Sequence, residues 1–187
     1  MVWLALVLVL ALLGPAQAFA LDPHKPIHRY AHSHWDRDNG LPSTSVQQLL
    51  QTRDGYLWLG TQDGLVRFDG QEFHAFDSKS TPVIGNNNVQ ALIETRDGGL
   101  WFSTLGGGVV RYLHDEFRAW TTADGLSSDV VRELLEDRDG NLWIGTDEGL
   151  DRMVDGRIET WDLRESLGDN VIIALFQDRL GRLWVAS

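Results

Sequence analysis

Four tryptophans return along this chain at nearly constant intervals of 43, 42 and 41 residues, and this period constrains the fold more than any other feature. The four are Trp58, Trp101, Trp143 and Trp184, and three residues before each lies a glycine, at Gly55, Gly98, Gly140 and Gly181. Two further sets of residues recur with nearly the same period, and each set forms one column when the repeats are aligned. They are the aromatic residues Trp35, Phe76, Trp120 and Trp161 and the valines Val46, Val89, Val131 and Val171. A repeat of this length is typical of β-propeller blades.

Each repeat reads as four short strands joined by turns. The segment VQQLLQT from Val46 predicts a first strand, and Asp54-Gly55 supplies the positive φ that a tight hairpin turn requires. The next segment, YLWLGT, has no polar face, as expected of a middle strand that neighbouring blades cover on both sides. Because turn residues recur throughout and apolar residues lack helical spacing, we predict an all-β propeller and not a helical solenoid.

The columns also predict the domain organisation. We expect a signal peptide over 1–20, a linker with an N-terminal clasp strand over 21–34, and a partial β-propeller over 35–187. Its repeats span about 46–76, 89–120, 131–161 and 171–187, the last cut short after two strands. Trp35 belongs to the fourth-strand column although no complete unit precedes it, so YAHSHW is predicted to be a lone outer strand. About three and a half blades leave two sheet faces bare, which predicts a fragment or half of an assembly.

The first twenty residues have the features of a secretory signal peptide. An apolar run from Val2 to Leu13 is followed by Gly14-Pro15 and by small residues around Ala18, although no Lys or Arg precedes it. The run is shorter than the roughly 20 residues that a membrane helix needs. We therefore expect cleavage and export, and a periplasmic or extracytoplasmic location.

Charge and cysteine content exclude several classes of protein. Sixteen basic and twenty-seven acidic side chains give a formal net charge of −11. That charge repels a phosphate backbone, so no nucleic-acid partner is expected. The chain has no cysteine, which excludes a disulfide-stapled scaffold and a thiolate metal site.

The stretch from Gly40 to Phe76 and its copies resemble the two-component regulator propeller repeat. Its core, D-G-x-L-W-[IL]-G-T-x-x-G-L-x-R, is matched throughout from Asp139 to Arg152. The second copy departs from it with Ser103 in place of glycine, and the last copy lacks the Asp-Gly turn. The resemblance covers about residues 30–187.

This resemblance implies a periplasmic sensor, usually built of seven-bladed propellers. In such proteins a small β-sandwich, a transmembrane helix and a cytoplasmic output domain follow. The output domain is a histidine kinase, sometimes fused to a response regulator, or a diguanylate cyclase. The parent receptor would then be anchored in the inner membrane and dimeric, with this chain as an N-terminal segment without output domain.

Loops that converge around the channel of a propeller are its usual ligand site. We predict that ligand contacts come from the inter-blade loops and the turns after the central strands. The candidate residues are Asn39, Ser43, Gln62, Asp63, Asn86, Asn87, Asn88, Asp147, Glu148 and Asn170. The ligand is expected to be extracellular, and a carbohydrate is one candidate, although Asn, Ser and Asp are also ordinary turn residues.

Neither a metal nor a cofactor is predicted. The histidines at 24, 28, 32 and 34 lie close together, but no carboxylate or thiolate follows at metal-ligand spacing. The acidic turns at Asp36 to Gly40 and Asp137 to Gly140 lack the oxygen ligands of a calcium loop. Catalysis is not predicted either, since the Asp-box turn of sialidases is absent and no nucleophile and base can be paired from spacing.

Two functions are compatible with these observations. The first is a ligand-sensing segment of a signal-transduction receptor, which the family resemblance implies. The alternative is a secreted interaction scaffold without catalytic output, whose ring is completed by further blades or by a second copy of the chain.

Overall fold

Each predicted repeat folds as an antiparallel sheet whose strands pair in chain order. The computed structural model describes residue 26 and residues 33–187. The predicted signal peptide, most of the linker and the histidines at 24, 28 and 32 therefore lie outside the described residues. Three sheets have four strands and the last has two, which confirms the predicted order of full blades followed by half a blade.

The strand boundaries follow the turns of the sequence. The first blade comprises β1 (Val46–Gln51), β2 (Leu57–Thr61), β3 (Gly64–Phe68) and β4 (Phe73–Phe76). The second comprises β5 (Val89–Glu94), β6 (Leu100–Thr104), β7 (Val109–Leu113) and β8 (Glu116–Trp120). The third comprises β9 (Val131–Glu136), β10 (Leu142–Thr146), β11 (Leu150–Val154) and β12 (Arg157–Trp161), and the half-blade β13 (Ala174–Gln177) and β14 (Leu183–Ala186).

The sheets stack face to face, as the apolar middle strands predict. All five residues of β6 are buried, and four of the five in β2 are. The first strands of successive blades are neighbours, β1 beside β5, β5 beside β9 and β9 beside β13. They therefore lie on the inner side of the stack, and the fourth strands lie on the outer side.

The second strands contain glycine because the next blade approaches there. A Cβ on Gly60 would lie 2.9 Å from Val89 Cγ1, and one on Gly145 would lie 2.8 Å from Ile172 Cγ2. Ile172 thus occupies in the half-blade the place of Val89, and the prediction of Val171 for this column is wrong by one residue. Ile172 is fully buried, and it lies twelve residues before Trp184, the same separation as in the complete repeats.

Ser103 stands where the first and third blades have this glycine, beside a register irregularity that the first and second strands of all three complete blades share. Val89 pairs with Thr104 and Leu92 with Phe102, so β5 carries an irregularity between those pairs. The backbone N–H of Ala91 donates to Ser103 Oγ at 2.9 Å. The departure from the motif is therefore compensated within the same sheet.

The fourth-strand aromatics act as wedges between blades. Phe76 lies against Tyr112 and Phe117 of the next blade, at centroid distances of 6.2 and 5.3 Å. Trp120 belongs to the core cluster shared by the second and third blades. Trp35 lies against Phe68 and Phe73 in the corresponding way, at 5.3 and 6.2 Å.

Trp35 thus occupies the wedge position of a preceding blade, as its column predicts. The strand predicted around it is not seen where it can be examined, because residues 33–36 have no strand structure. The other residues of that segment, 30–32, lie outside the described residues. Helical structure in the described region is limited to three single 3-10 turns and α1 (Arg164–Leu167).

Candidate functional site

The strand order places every loop at one of two rims. The loop rim contains the inter-blade connections 77–88, 121–130 and 162–173 together with the β2–β3 turns of each complete blade. The turn rim, at the opposite end, contains the β1–β2 and β3–β4 turns. The predicted ligand-contact residues from Gln62 to Asn170 fall on the loop rim, and Ser43 lies just before β1 at the same end of the first blade.

Two of these candidates brace the inter-blade loops. In each connection an Asx side chain, two residues before the buried Val or Ile, accepts a hydrogen bond from a backbone N–H that follows the fourth strand. The three bonds run from Ser78 N to Asn87 Oδ1 at 2.7 Å, from Thr122 N to Asp129 Oδ1 at 2.7 Å, and from Leu163 N to Asn170 Oδ1 at 2.8 Å. Asn170 is 3% exposed, and its Nδ2 donates to the Glu148 carbonyl at 3.0 Å.

The acidic candidates are paired with arginines. Asp63 forms a salt bridge with Arg37 at 3.3 Å, and Glu148 one with Arg164 at 2.9 Å. Asp147 accepts hydrogen bonds from Arg132. These are surface pairs, which contribute little to stability, so a ligand could compete for either partner.

The remaining candidates differ in exposure. Ser43 is fully buried, whereas Gln62 is exposed. Asn86 Oδ1 accepts from the backbone N–H of Asn88, and Asn88 Oδ1 accepts from Gln90 Nε2, at 2.8 and 2.7 Å. Asn39 lies on the 3-10 turn Arg37–Asn39. The loop rim thus gathers polar groups, and ligand contact by them stays a prediction.

Sequence reasoning missed a chain of arginines along the turn rim. In the three complete blades the first turn, between the first and second strands, carries an arginine whose guanidinium donates to carbonyl groups of the same turn in the next blade. The bonds run from Arg53 to the carbonyls of Thr95 and Arg96, from Arg96 to those of Asp137 and Arg138 at 2.6 Å each, and from Arg138 to that of Arg179 at 2.7 Å. The recurring letters T-R-D-G and D-R-D-G were the available signal.

The residue that precedes each turn completes this link. The backbone N–H of Arg53 donates to Glu94, and that of Arg96 donates to Glu136, both at 3.0 Å. In the half-blade Gln177 takes the acceptor position and receives the N–H of Arg138. A side chain and a backbone group therefore join every pair of adjacent blades at the turn rim.

Arg96→Lys tests this link. Lysine keeps the charge but presents one nitrogen in place of the planar fork that spans two carbonyls, so we expect a loss of about 1 kcal/mol in the free energy of unfolding. Urea denaturation measures it. Arg179→Lys is the matched control, because the Arg179 side chain makes no hydrogen bond or ion pair within the described residues. Equal losses in both variants would contradict the proposed fork.

The same turns hold the indole nitrogens of the tryptophan column. Trp58 Nε1 donates to Thr52 Oγ1 at 3.2 Å, and Trp143 Nε1 donates to Asp137 Oδ2 at 2.8 Å. Burial raises the pKa of the Asp137 carboxyl, but hydrogen bonds from Asn141, Trp143 and the backbone lower it by more. The net pKa of Asp137 therefore lies below the ordinary value for Asp.

A lowered pKa in the folded state makes stability depend on acid. The contribution of Asp137 is complete above the ordinary Asp pKa of about 3.9 and is lost as the pH falls through the lower folded value. We expect Asp137→Thr, which copies Thr52, to reduce the loss of unfolding free energy between neutral pH and about pH 3. Urea denaturation across this range measures it. Thr52→Ser removes no carboxyl and should leave the wild-type slope, and an unchanged slope in Asp137→Thr would disprove the assignment.

A cavity of about 420 Å³ opens on the turn rim between the first two blades. The Arg67 guanidinium lies 4.6 Å from the centroid of the Tyr56 ring and donates to the Tyr112 hydroxyl at 3.4 Å. Tyr112 donates in turn to Asp115 at 2.6 Å. Burial, together with Asp115, raises the pKa of Tyr112 to about 12, so its hydroxyl stays protonated near neutral pH. This arrangement suits stacking and hydrogen bonding.

Within residue 26 and 33–187, no three His, Asp or Glu side chains come together in a way that could hold a metal ion. In that part of the chain no helix has the length and apolar character needed to cross a bilayer.

The family described as two component regulator propeller matches this chain at four segments, residues 40–63, 84–106, 125–148 and 166–187. The sheets and their order define a β-propeller, here seen as three and a half blades. The chain belongs to the two component regulator propeller family, which confirms the resemblance read from the sequence. No curated protein sequence matches it.

Similar folds occur among solved structures. The extracellular domain assigned to a hybrid two component system of B. thetaiotaomicron matches 75% of this chain at 24% identity, with a TM-score of 0.67. A second such domain of that organism matches 82% at 22% identity, with a TM-score of 0.65. Virginiamycin B lyase of Staphylococcus aureus matches 78% at 15% identity, with a TM-score of 0.61. The chain spans 20%, 23% and 50% of these proteins, and such identities show the fold alone.

Proposed function

We propose that this chain is the ligand-sensing propeller segment of an extracytoplasmic signal-transduction receptor. The observation that carries the proposal is the presence of four successive repeats of the two component regulator propeller along the chain. The likeness in fold to extracellular domains of hybrid two component systems supports it. The output would come from a histidine kinase or a diguanylate cyclase in the parent receptor, and the propeller itself has no catalytic part in this role.

The blade contacts support a mechanism based on shifting populations. The arginine links and the close approach of Val89 to Gly60 join adjacent blades, so a ligand at a rim acts on a connected body. Binding would favour one of two arrangements of a receptor dimer. Only the difference between the ligand's affinities for the two arrangements can change the output.

The test uses the intact receptor in its membrane. A panel of neutral and acidic saccharides is screened for binding to the purified chain, and each binder is then added to cells that carry the full gene. We expect a binder to change both the cross-linking pattern of the dimer and the kinase or cyclase output. A ligand that binds in the concentration range sensed by the cell, yet changes neither, would overturn the proposal.

The loop rim can be tested in the same assay. Gln62 and Glu148 are exposed there, and their side chains can be removed without opening the core. If the loop rim binds the ligand, the double variant Gln62→Ala with Glu148→Ala should bind it more weakly. Glu116→Ala, which changes an exposed residue at the turn rim, should bind it as the wild type does. Weaker binding in Glu116→Ala, with unchanged binding in the double variant, would show that the ligand site lies away from the loop rim.

An interaction scaffold is the second candidate, and the exposed apolar side chains of the half-blade favour it. Phe176 and Trp184 are 63% and 56% exposed on β13 and β14. Exposed sheet surfaces of this kind favour association. Sedimentation of the purified chain distinguishes the two: a stable closed dimer supports the scaffold, and a monomer removes its basis.

A further inference from the structure

A second cavity on the turn rim, between the second and third blades, contains two arginines on adjacent strands. Arg111 of β7 and Arg118 of β8 are direct cross-strand partners and both line this cavity of about 310 Å³. At the same place in the third blade Arg152 faces Glu159, and the two form a salt bridge at 2.5 Å. Like charges directly opposite each other destabilise a sheet. The second blade therefore carries a like-charge pair where the third carries an ion pair.

The two arginines differ in their partners. Arg111 donates to Asp97 and lies 5.6 Å from the centroid of Trp101. Arg118 lies 4.6 Å from the centroid of Trp120. It is exposed, and among the residues that the structure describes no carboxylate pairs with it. Arg118 is therefore the arginine of this pair without an ion-pair partner among the described residues, in a cavity that carboxylates also line.

The stacking leaves hydrogen-bond donors free. A guanidinium that stacks on an aromatic ring contacts the ring with its flat face. Its N–H groups lie in the plane of the guanidinium, so they stay available and match the geometry of a carboxylate. The rings of Trp101 and Trp120 stack on each other at 4.9 Å, which holds both arginines on one fixed support. Such a support reduces the entropy lost on binding.

We propose that this cavity binds the carboxylate of a small polyhydroxylated ring acid through Arg118 and Arg111. Leu142 and Met153 line the cavity and give the ring an apolar surface. Glu136 and Asp155 also line it, and their carboxylates can accept hydrogen bonds from ligand hydroxyls. The volume fits one ring, and the net charge of −11 opposes a large polyanion. This site is separate from the loop rim and does not depend on the receptor role.

The experiment measures binding of D-glucuronate, D-glucose and inorganic sulfate to the purified chain by calorimetry and tryptophan fluorescence. We expect glucuronate to bind at least about tenfold more tightly than glucose, because only the acid can engage the arginines. Weaker binding of sulfate than of glucuronate supports a planar carboxylate on a ring. Sulfate that binds as tightly as glucuronate, or glucose that equals it, would overturn the proposed class of ligand.

Arg118→Glu separates binding from folding. It recreates opposite Arg111 the pairing of the third blade, so the variant should be as stable as the wild type or more so, while glucuronate affinity falls at least about tenfold. Arg179→Glu makes the same charge change elsewhere on the turn rim and should retain binding. Unchanged affinity in Arg118→Glu, or an equal loss in Arg179→Glu, would show that Arg118 does not bind the carboxylate. A less stable Arg118→Glu would assign Arg118 to the support of Trp120 instead.

Discussion

Replacing Gly108 by alanine is expected to lower the free energy of unfolding by about 3 to 5 kcal/mol. Two causes act together. Gly108 has a φ of +75°, where a side chain is strained, and a Cβ built on it would lie 2.1 Å from the carbonyl oxygen of Trp120. The obstacle is backbone of β8, which cannot move without breaking the pairing of β7 with β8.

Gly98→Ala is the matched control for this prediction. Gly98 has a similar φ of +84°, but nothing lies within 4 Å of the Cβ that alanine would add. The loss expected there is about 1 kcal/mol, which is the cost of the left-handed conformation alone. Urea denaturation of both variants measures the difference, and equal losses would show that β7 and β8 can separate at Gly108 without cost.

Trp58→Ala is expected to cost about 4 kcal/mol, because it removes a large ring from the interface of the first two blades. Trp58 is 2% exposed. Its ring lies 6.0 Å from that of Phe76 and 5.3 Å from that of Tyr112. The substitution also removes the hydrogen bond from Trp58 Nε1 to Thr52 Oγ1 and leaves a cavity at the interface.

Trp184→Ala makes the same change at the fourth position of the column. Trp184 is 56% exposed, although its Nε1 still donates to Asp178 at 3.1 Å. We expect a loss of about 1 kcal/mol or less, since little apolar surface returns to water. Thermal unfolding of both variants compares the two positions. A loss at Trp184 as large as that at Trp58 would mean that the ring is covered in solution, as the scaffold hypothesis requires.

Much of the fold could be predicted from local patterns. The Asp-Gly turns placed the boundary between β1 and β2, and the apolar run of YLWLGT identified a strand covered on both faces. The error at Val171 shows the limit of such patterns. Val171 and Ile172 are neighbours of similar shape, and only the contact of Ile172 with Gly145 shows which of them faces the preceding blade.

The candidate site was less predictable. Asparagines of the inter-blade loops were expected to meet a ligand, and Asn87 and Asn170 were found bracing those loops. The letters of the sequence look the same in both roles, because Asn accepts a backbone N–H as readily as it accepts a ligand hydroxyl. Arg118 lacks the acidic cross-strand partner that the third blade has, and this could be recognised only after Glu159 was found at the corresponding place.

The sequence by itself determined the repeat, the strands, the turns and the membership of the family, because these depend on neighbours within a few residues. The tertiary structure decided which side chains join one blade to the next and which have no ion-pair partner. Arg96 reaches the carbonyl of Arg138, 42 residues further along the chain. Contacts of that range depend on how twisted sheets stack, and the stacking is settled by packing across whole faces, which no local pattern contains.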